Sequence, residues 1–140
     1  MNPFVHEVPV RFHDIDFAGI VFFGKVFFFA HDAYEAWLRA LGCHLEVQVS
    51  ERGYALPFAH AEADYHEPIR GGQSLLVEVQ PIAVGRTSYT LQARLLSASG
   101  TCHATVKTVQ VCADPATRRP RPLPEKLREL IAAQIPSSEV

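Results

Sequence analysis

The residues best able to do chemistry stand together in His13-Asp14-Ile15-Asp16-Phe17-Ala18-Gly19, two acids and a glycine just ahead of a helical pattern. The first amides of a helix have no partner within it and carry partial positive charge. A carboxylate a few residues upstream leaves room for a carbonyl between acid and amide. That is the least geometry acyl transfer asks for: a group that attacks or activates water, and a donor for the oxyanion. A thioester suits so spare a site. Its thiol, with a pKa near ~8.5, departs without a strong acid, whereas an amide would need a proton delivered to nitrogen. The chain holds no Gly-x-Ser-x-Gly elbow and no His-Glu-x-x-His pair. A plainer role is also open. An aspartate before a helix is more often an N-cap than a catalyst, and Asp14 suits a structural role better than Asp16. Gly19 alone asks only for a tight turn.

Positioning falls to the elements around this loop. Residues 4–12 alternate as a first strand, with Pro9 marking a sheet edge. From about Gly24 to Leu41 the period becomes helical, with Val26, Phe29, Ala33, Trp37 and Leu41 on one face and Lys25, Asp32, Glu35 and Arg39 opposite. Phe28 falls among those charges, so the helix is expected to be buried nearly all round; Gly42 ends it. Extended patterns follow at 54–67 (irregular around Pro57), 75–84, 87–97 and 101–112, with turns at Gly71-Gly72, Gly85-Arg86 and Ser97–Gly100. A Pro- and Arg-rich connector over 113–124 leads to a helix over 125–135, with Leu127, Leu130 and Ile131 on its apolar side. A strand, a long helix and four strands on short turns spell one α+β domain over 1–140, a five-stranded, largely antiparallel sheet around one long helix. One helix covers one face, so the remaining apolar positions and the sheet edge need a partner copy.

With 48% hydrophobic and 20% charged residues, the composition is that of an ordinary globular domain. A chain of this length buries ~68% of its unfolded surface and needs no staples. A net charge of −2 argues against a nucleic-acid partner. Arg118, Arg119, Arg121, Lys126 and Arg128 crowd the last quarter, either as a solvated surface or as a dock for a compact polyanion such as a nucleotide. Cys43, Cys102 and Cys112 are odd in number and far apart, which favours buried reduced thiols. Met1 to Glu7 has neither region of a signal peptide, and Ile20 to Ala30, broken by Gly24 and Lys25, is too short to span a bilayer. A cytoplasmic protein without a membrane partner is expected.

Asp16-Phe17-Ala18-Gly19-Ile20-Val21, followed by two aromatics and the helix, resembles the signature of the 4-hydroxybenzoyl-CoA thioesterase family of hot-dog proteins. Val10-Arg11-Phe12 before it and Asp32-Ala33-Tyr34-Glu35-Ala36 after it agree, and the likeness covers roughly residues 5–130. Within the family, Phe23 combined with His31 and His60 looks like the 1,4-dihydroxy-2-naphthoyl-CoA thioesterases of quinone synthesis; a short-chain branch carries His at the position of Phe23. The resemblance implies that Asp16 is the catalytic carboxylate, as nucleophile or general base, that Gly19 belongs to the catalytic loop, and that the Phe23 backbone amide polarises the thioester carbonyl. It places His31, His60 and Phe22 at the acyl group, and Arg86-Thr87-Ser88 and Arg119 at the CoA. It implies a sheet wrapped around the helix, a homodimer with active sites at its interface, and a tetramer of two dimers. No metal or prosthetic group is implied, since CoA arrives as part of the acyl-CoA substrate.

Plainer roles stand beside these: a solvated helix flank for His31, a hydrogen-bonded strand position for His60, ordinary surface for the arginines. His13, His66 and His103 are expected at the surface. Phe22, Phe27, Phe28 and Phe29 are expected mostly in the core, with one or two lining an acyl pocket. Short- or medium-chain fatty acyl-CoA thioesterase and non-catalytic acyl-CoA-binding hot-dog protein are the alternative activities. A hot-dog dehydratase would want a histidine base where this loop offers aspartate.

Overall fold

The computed structural model describes residues 3–136; Met1, Asn2 and 137–140, the ends of the domain expected over 1–140, lie outside the described residues. Alternation builds the sheet. In β3 (Ser74–Val84), Leu75, Val77 and Val79 take one face, and in β4 (Ser88–Leu96) Tyr89, Leu91, Ala93 and Leu95 do; all are buried. With β1 (Phe4–Pro9), β2 (Phe58–Tyr65) and β5 (Cys102–Val111) they form an antiparallel sheet of order β1-β3-β4-β5-β2. Helix α1 (Lys25–Ala40) packs on it, sending Val26, Phe29, Ala33, Trp37 and Leu38 into the core. Each large apolar side chain so buried stabilises by about 1.5–3 kcal/mol. The helix closes in a Schellman motif: the Cys43 N–H donates to the Leu38 carbonyl (2.8 Å) and the Gly42 N–H to Arg39 (2.9 Å), with Gly42 at φ 85°.

Several boundaries differ from the sequence expectation, each for a local reason. The first strand stops at Pro9, and residues Phe12–Asp14 coil into a 3-10 turn because Asp14 Oδ2 accepts the Arg11 N–H at 2.8 Å. The second strand begins only at Phe58, since Pro57 has no N–H for the ladder. Ahead of it lie a bridge from Ala55 to Ala113 and an unforeseen short helix, α2 (Val49–Arg52). The last helix, α3 (Glu125–Ala132), is shorter than 125–135, with Leu127 and Ile131 buried and Leu130 half-buried. Beyond it Gln134 accepts from Trp37 Nε1 (2.9 Å) and, at its carbonyl, from Gln80 Nε2 (2.6 Å), which ties this segment to the core.

Helix α1 is not buried all round in the single chain. Phe28 is 63% exposed with the Lys25 ammonium 5.1 Å over its ring, and Asp32 and Arg39 are exposed. Of the three free thiols only Cys112 is buried; Cys43 and Cys102 are half-buried. His103, expected at the surface, is buried with Nδ1 3.0 Å from the Pro68 carbonyl. Among the four clustered phenylalanines, Phe29 alone is fully in the core.

Two tyrosines meet in that core, Tyr34 and Tyr89, hydroxyl to hydroxyl at 2.6 Å. Burial pushes both pKa values up, because a phenolate there would lose its water. A raised folded-state pKa means the neutral pair stabilises fully below the unfolded value of about 10, and that this stability is lost as the pH climbs above it. Melting curves across that range should therefore show a falling midpoint, and a shallower fall in the Tyr34→Phe/Tyr89→Phe protein.

Candidate active site

The loop 13–19 is one arm of a small hydrogen-bonded hairpin that leads straight into α1. The Asp16 N–H donates to the Ile20 carbonyl (2.9 Å), Ile15 bridges Val21, and the Phe22 N–H donates to the Asp14 carbonyl (3.0 Å). Gly19 makes the reversal at φ 81°, its N–H on the Asp16 carbonyl at 3.0 Å. A β-carbon at Gly19 would meet no atom, so the backbone angle is what demands glycine. The Gly71 N–H and the Arg70 bridge to Ile20 tie the hairpin tip to the start of β3.

The two aspartates have separate tasks. Asp14 is 6% exposed and engaged on both oxygens: Oδ2 takes the Arg11 N–H, while Oδ1 lies 3.6 Å from Lys25 Nζ and 3.5 Å from His13 Nε2. It pins the loop to the helix start. Asp16 is half-buried, and its Oδ1 accepts the Ala18 N–H at 2.8 Å in an Asx turn. Its Oδ2 meets no partner among the described residues, so one carboxylate oxygen is anchored and the other is unengaged. Asp16 is not an N-cap, because that position belongs to Gly24 and no side chain caps α1. The Lys25 N–H bonds the Phe22 carbonyl (2.9 Å) and the Phe27 N–H the Gly24 carbonyl (3.3 Å), but the N–H groups of Phe23 and Gly24 meet no acceptor among the described residues. Acid and unpaired amides thus lie on one continuous short segment.

Beside a cavity of about 260 Å³ lined by Asp14, Lys25 and Phe28 among others, two more adjoin the start of α1. One of about 280 Å³ is lined by Ile20, Val21, Phe23 and Tyr65 among others, and the Tyr65 hydroxyl donates to the Phe23 carbonyl at 2.6 Å. The other, about 490 Å³, opens between α1 and the sheet and is lined by Phe27, Phe28, His31, Tyr34, Phe58 and Ala61 among others. His31 stacks on Phe58 (5.6 Å, 27°), meets Tyr34 edge-on, and holds Glu35 Oε2 at 3.0 Å through Nδ1. Phe23, Phe27, His31 and Tyr34 recur at steps of four, four and three, one stripe along the helix.

The remaining expected residues lie elsewhere in the chain. His60 points away from the larger cavity. The register shift between Phe58 and His60 puts Phe58 and Ala61 on the cavity side, and His60 pairs instead with Glu62 at 2.9 Å on the other face. Phe22 lines neither cavity and is 51% exposed, its ring packed on Phe23. Arg86, Thr87 and Ser88 form the β3–β4 turn, the opposite end of β3 from the hairpin; 11 residues of strand separate them by roughly 33 Å. The C-terminal connector docks beside that turn: the Leu123 N–H donates to the Arg86 carbonyl (2.9 Å), the Cys112 N–H to Thr87 (2.7 Å), and Arg128 Nε to Gly85 (3.2 Å). Arg119 is exposed in the loop that Asp114 closes, the acid receiving the Ala116 and Thr117 amides at 2.9 Å, which lowers its pKa. One chain therefore carries the Arg86 turn at one end of β3 and the Asp16 hairpin at the other.

Residues 10–131 match the thioesterase-like superfamily. The chain belongs to that superfamily. Among relatives of this thioesterase-like protein, the 1,4-dihydroxy-2-naphthoyl-CoA hydrolase of Synechococcus elongatus is 40% identical over 130 residues, 92% of this chain and 95% of the other. A 1,4-dihydroxy-2-naphthoyl-CoA thioesterase from Synechocystis superposes with a TM-score of 0.86 at 30% identity, covering 92% of this chain and 95% of its own. A thioesterase-superfamily protein from Jannaschia gives 0.88 at 26% identity, over 96% and 94%. The hot-dog fold expected from the sequence is the fold of this thioesterase-like chain. Among the cavity residues that escaped the sequence reading are Phe58 and Tyr65, whose contact with Phe23 spans 42 positions that no local spacing marks.

Proposed function

We propose that this protein hydrolyses an aromatic acyl-CoA, of the hydroxybenzoyl or dihydroxynaphthoyl kind, to the free acid and CoA. One observation carries the reading: Asp16 presents an unengaged carboxylate oxygen on the hairpin that runs directly into a helix start whose Phe23 and Gly24 amides are unpaired. The carboxylate either attacks the thioester carbonyl, forming an acyl-aspartyl anhydride that water then cleaves to the free acid, or activates water to attack directly; on both routes the amides receive the oxyanion and the thiolate leaves. Nothing in these steps asks for a metal or a prosthetic group. The aromatic acyl group is supported by the relatives' activity and by the larger cavity, which has the size of small-ligand sites. With Nδ1 held by Glu35, His31 leaves Nε2 free to hydrogen-bond a phenolic hydroxyl. Arg86, Ser88 and Arg119 suit phosphate and pantetheine contacts.

A second copy completes this reading. CoA held at the Arg86 turn of the same chain would have to run the length of the sheet to reach Asp16. Edge strand β2 is exposed along nearly its whole length, and Phe12, Phe17, Phe23 and Phe28 stand exposed near the loop. Both features favour a homodimer whose sites combine Asp16 of one copy with the basic turn of the other, with two dimers joining as a tetramer. A cytoplasmic location accords with this substrate, and no helix among the described residues is long and apolar enough to cross a membrane.

Thiol release from a panel of acyl-CoAs tests the proposal. Hydroxylated aroyl-CoAs should have the highest kcat/KM, with straight-chain fatty acyl-CoAs well below them. A preference for the fatty acyl substrates would overturn the aromatic assignment, and no release from any of them would overturn hydrolysis.

A further inference from the structure

We propose that Tyr65 is a positioning residue for the oxyanion amides, acting through the Phe23 carbonyl; this rests on the hydrolase reading above. Tyr65 closes strand β2, where the register with Ala104 of β5 fixes its backbone. Its hydroxyl donates across the cavity of about 280 Å³ to the Phe23 carbonyl at 2.6 Å. That carbonyl has no helical partner, because the Phe27 N–H four residues on is turned to Gly24 instead. Without the hydroxyl it would be left unpaired beside the chemistry.

The physical consequence concerns the amide on the far side of the same peptide. The Phe23–Gly24 bond is trans, so its carbonyl and its N–H point in opposite directions. Fixing the Phe23 carbonyl therefore fixes where the Gly24 N–H points. Donation to a carbonyl also polarises the peptide and makes its N–H a stronger donor, by about 10–30%. The neighbouring peptide is anchored in the same way: the Phe22 carbonyl takes the Lys25 N–H, which sets the Phe23 N–H. Two successive unpaired amides are thus each held through their own carbonyls, one by the helix and one by Tyr65. Because no side chain caps α1, Tyr65 is the side chain that holds the Phe23 carbonyl. An oxyanion site loses rate when its donors must reorganise during the reaction, and a brace of this kind prevents that.

The test is Tyr65→Phe, which keeps the ring and removes the hydroxyl, read by kinetics on an aroyl-CoA and by the Gly24 amide resonance in NMR spectra. The expected result is a kcat lower by about tenfold with KM within about twofold, an unchanged melting midpoint, and a shifted Gly24 amide signal. An unmoved Gly24 signal would show that the contact is absent in solution. A moved signal with normal kcat would show that it positions nothing. A loss confined to KM would indicate a substrate-wall role. Each of these overturns the proposal while the hydrolase reading stands. A wild-type protein that releases no thiol defeats both together.

Discussion

Replacing Asp16 by Asn lowers kcat by about 10²–10⁴-fold, the range for loss of a positioned acid–base or nucleophilic group. The substitution is unusually clean here. Asparagine keeps an oxygen for the Ala18 N–H, so the Asx turn and the Gly19 reversal survive. What disappears is the charge on Oδ2, the oxygen that no described residue engages. KM should change little, because the acyl cavity and the basic turn are untouched, and the melting midpoint should hold. Asp14→Asn makes the contrasting control. Its carboxylate is buried between the Arg11 N–H and Lys25, so its loss should lower the melting midpoint. A rate loss for Asp14→Asn greater than that for Asp16→Asn would exchange their roles.

The second large effect is complementation between subunits. Arg86→Ala should raise KM for acyl-CoA by about tenfold or more, from loss of a charge-assisted phosphate contact. If the Asp16 loop of one copy works with the Arg86 turn of the other, a mixed dimer of Asp16→Asn and Arg86→Ala subunits holds one site with both native residues. At low substrate concentration the exchanged mixture should then hydrolyse well above the sum of the separate variants. Sites built within single chains allow no such gain, since every chain carries one of the two lesions. The roughly 33 Å of β3 between the loop and the turn is the reason to expect the gain.

What the sequence made legible was local. Helical spacing from Val26 to Trp37, alternation in β3 and β4, and the acids ahead of a helix are all written within a few residues of one another, and the structure builds the fold from them. Non-local facts were hidden. His60 shared a parity with Phe58 in the sequence, and a single irregularity between them turned it to the other face. His103 is buried because the Pro68 carbonyl receives it, a partner 35 positions away. Arg86 and Asp16 both looked like site residues, yet which end of a strand faces which loop depends on the order β1-β3-β4-β5-β2, and motif spacing carries no trace of that order. Phe28 among charges suggested an enclosed helix; in one chain it is exposed, with the Lys25 ammonium over its ring.

The most direct measurement is a crystal structure with a ketone analogue of an aroyl-CoA, in which a methylene replaces the reacting sulfur. The expected result is a carbonyl oxygen about 3 Å from the Phe23 or Gly24 N–H, with the free oxygen of Asp16 facing the carbonyl carbon. A ketone bound away from both amides, with Asp16 turned into open solvent, would contradict the mechanism.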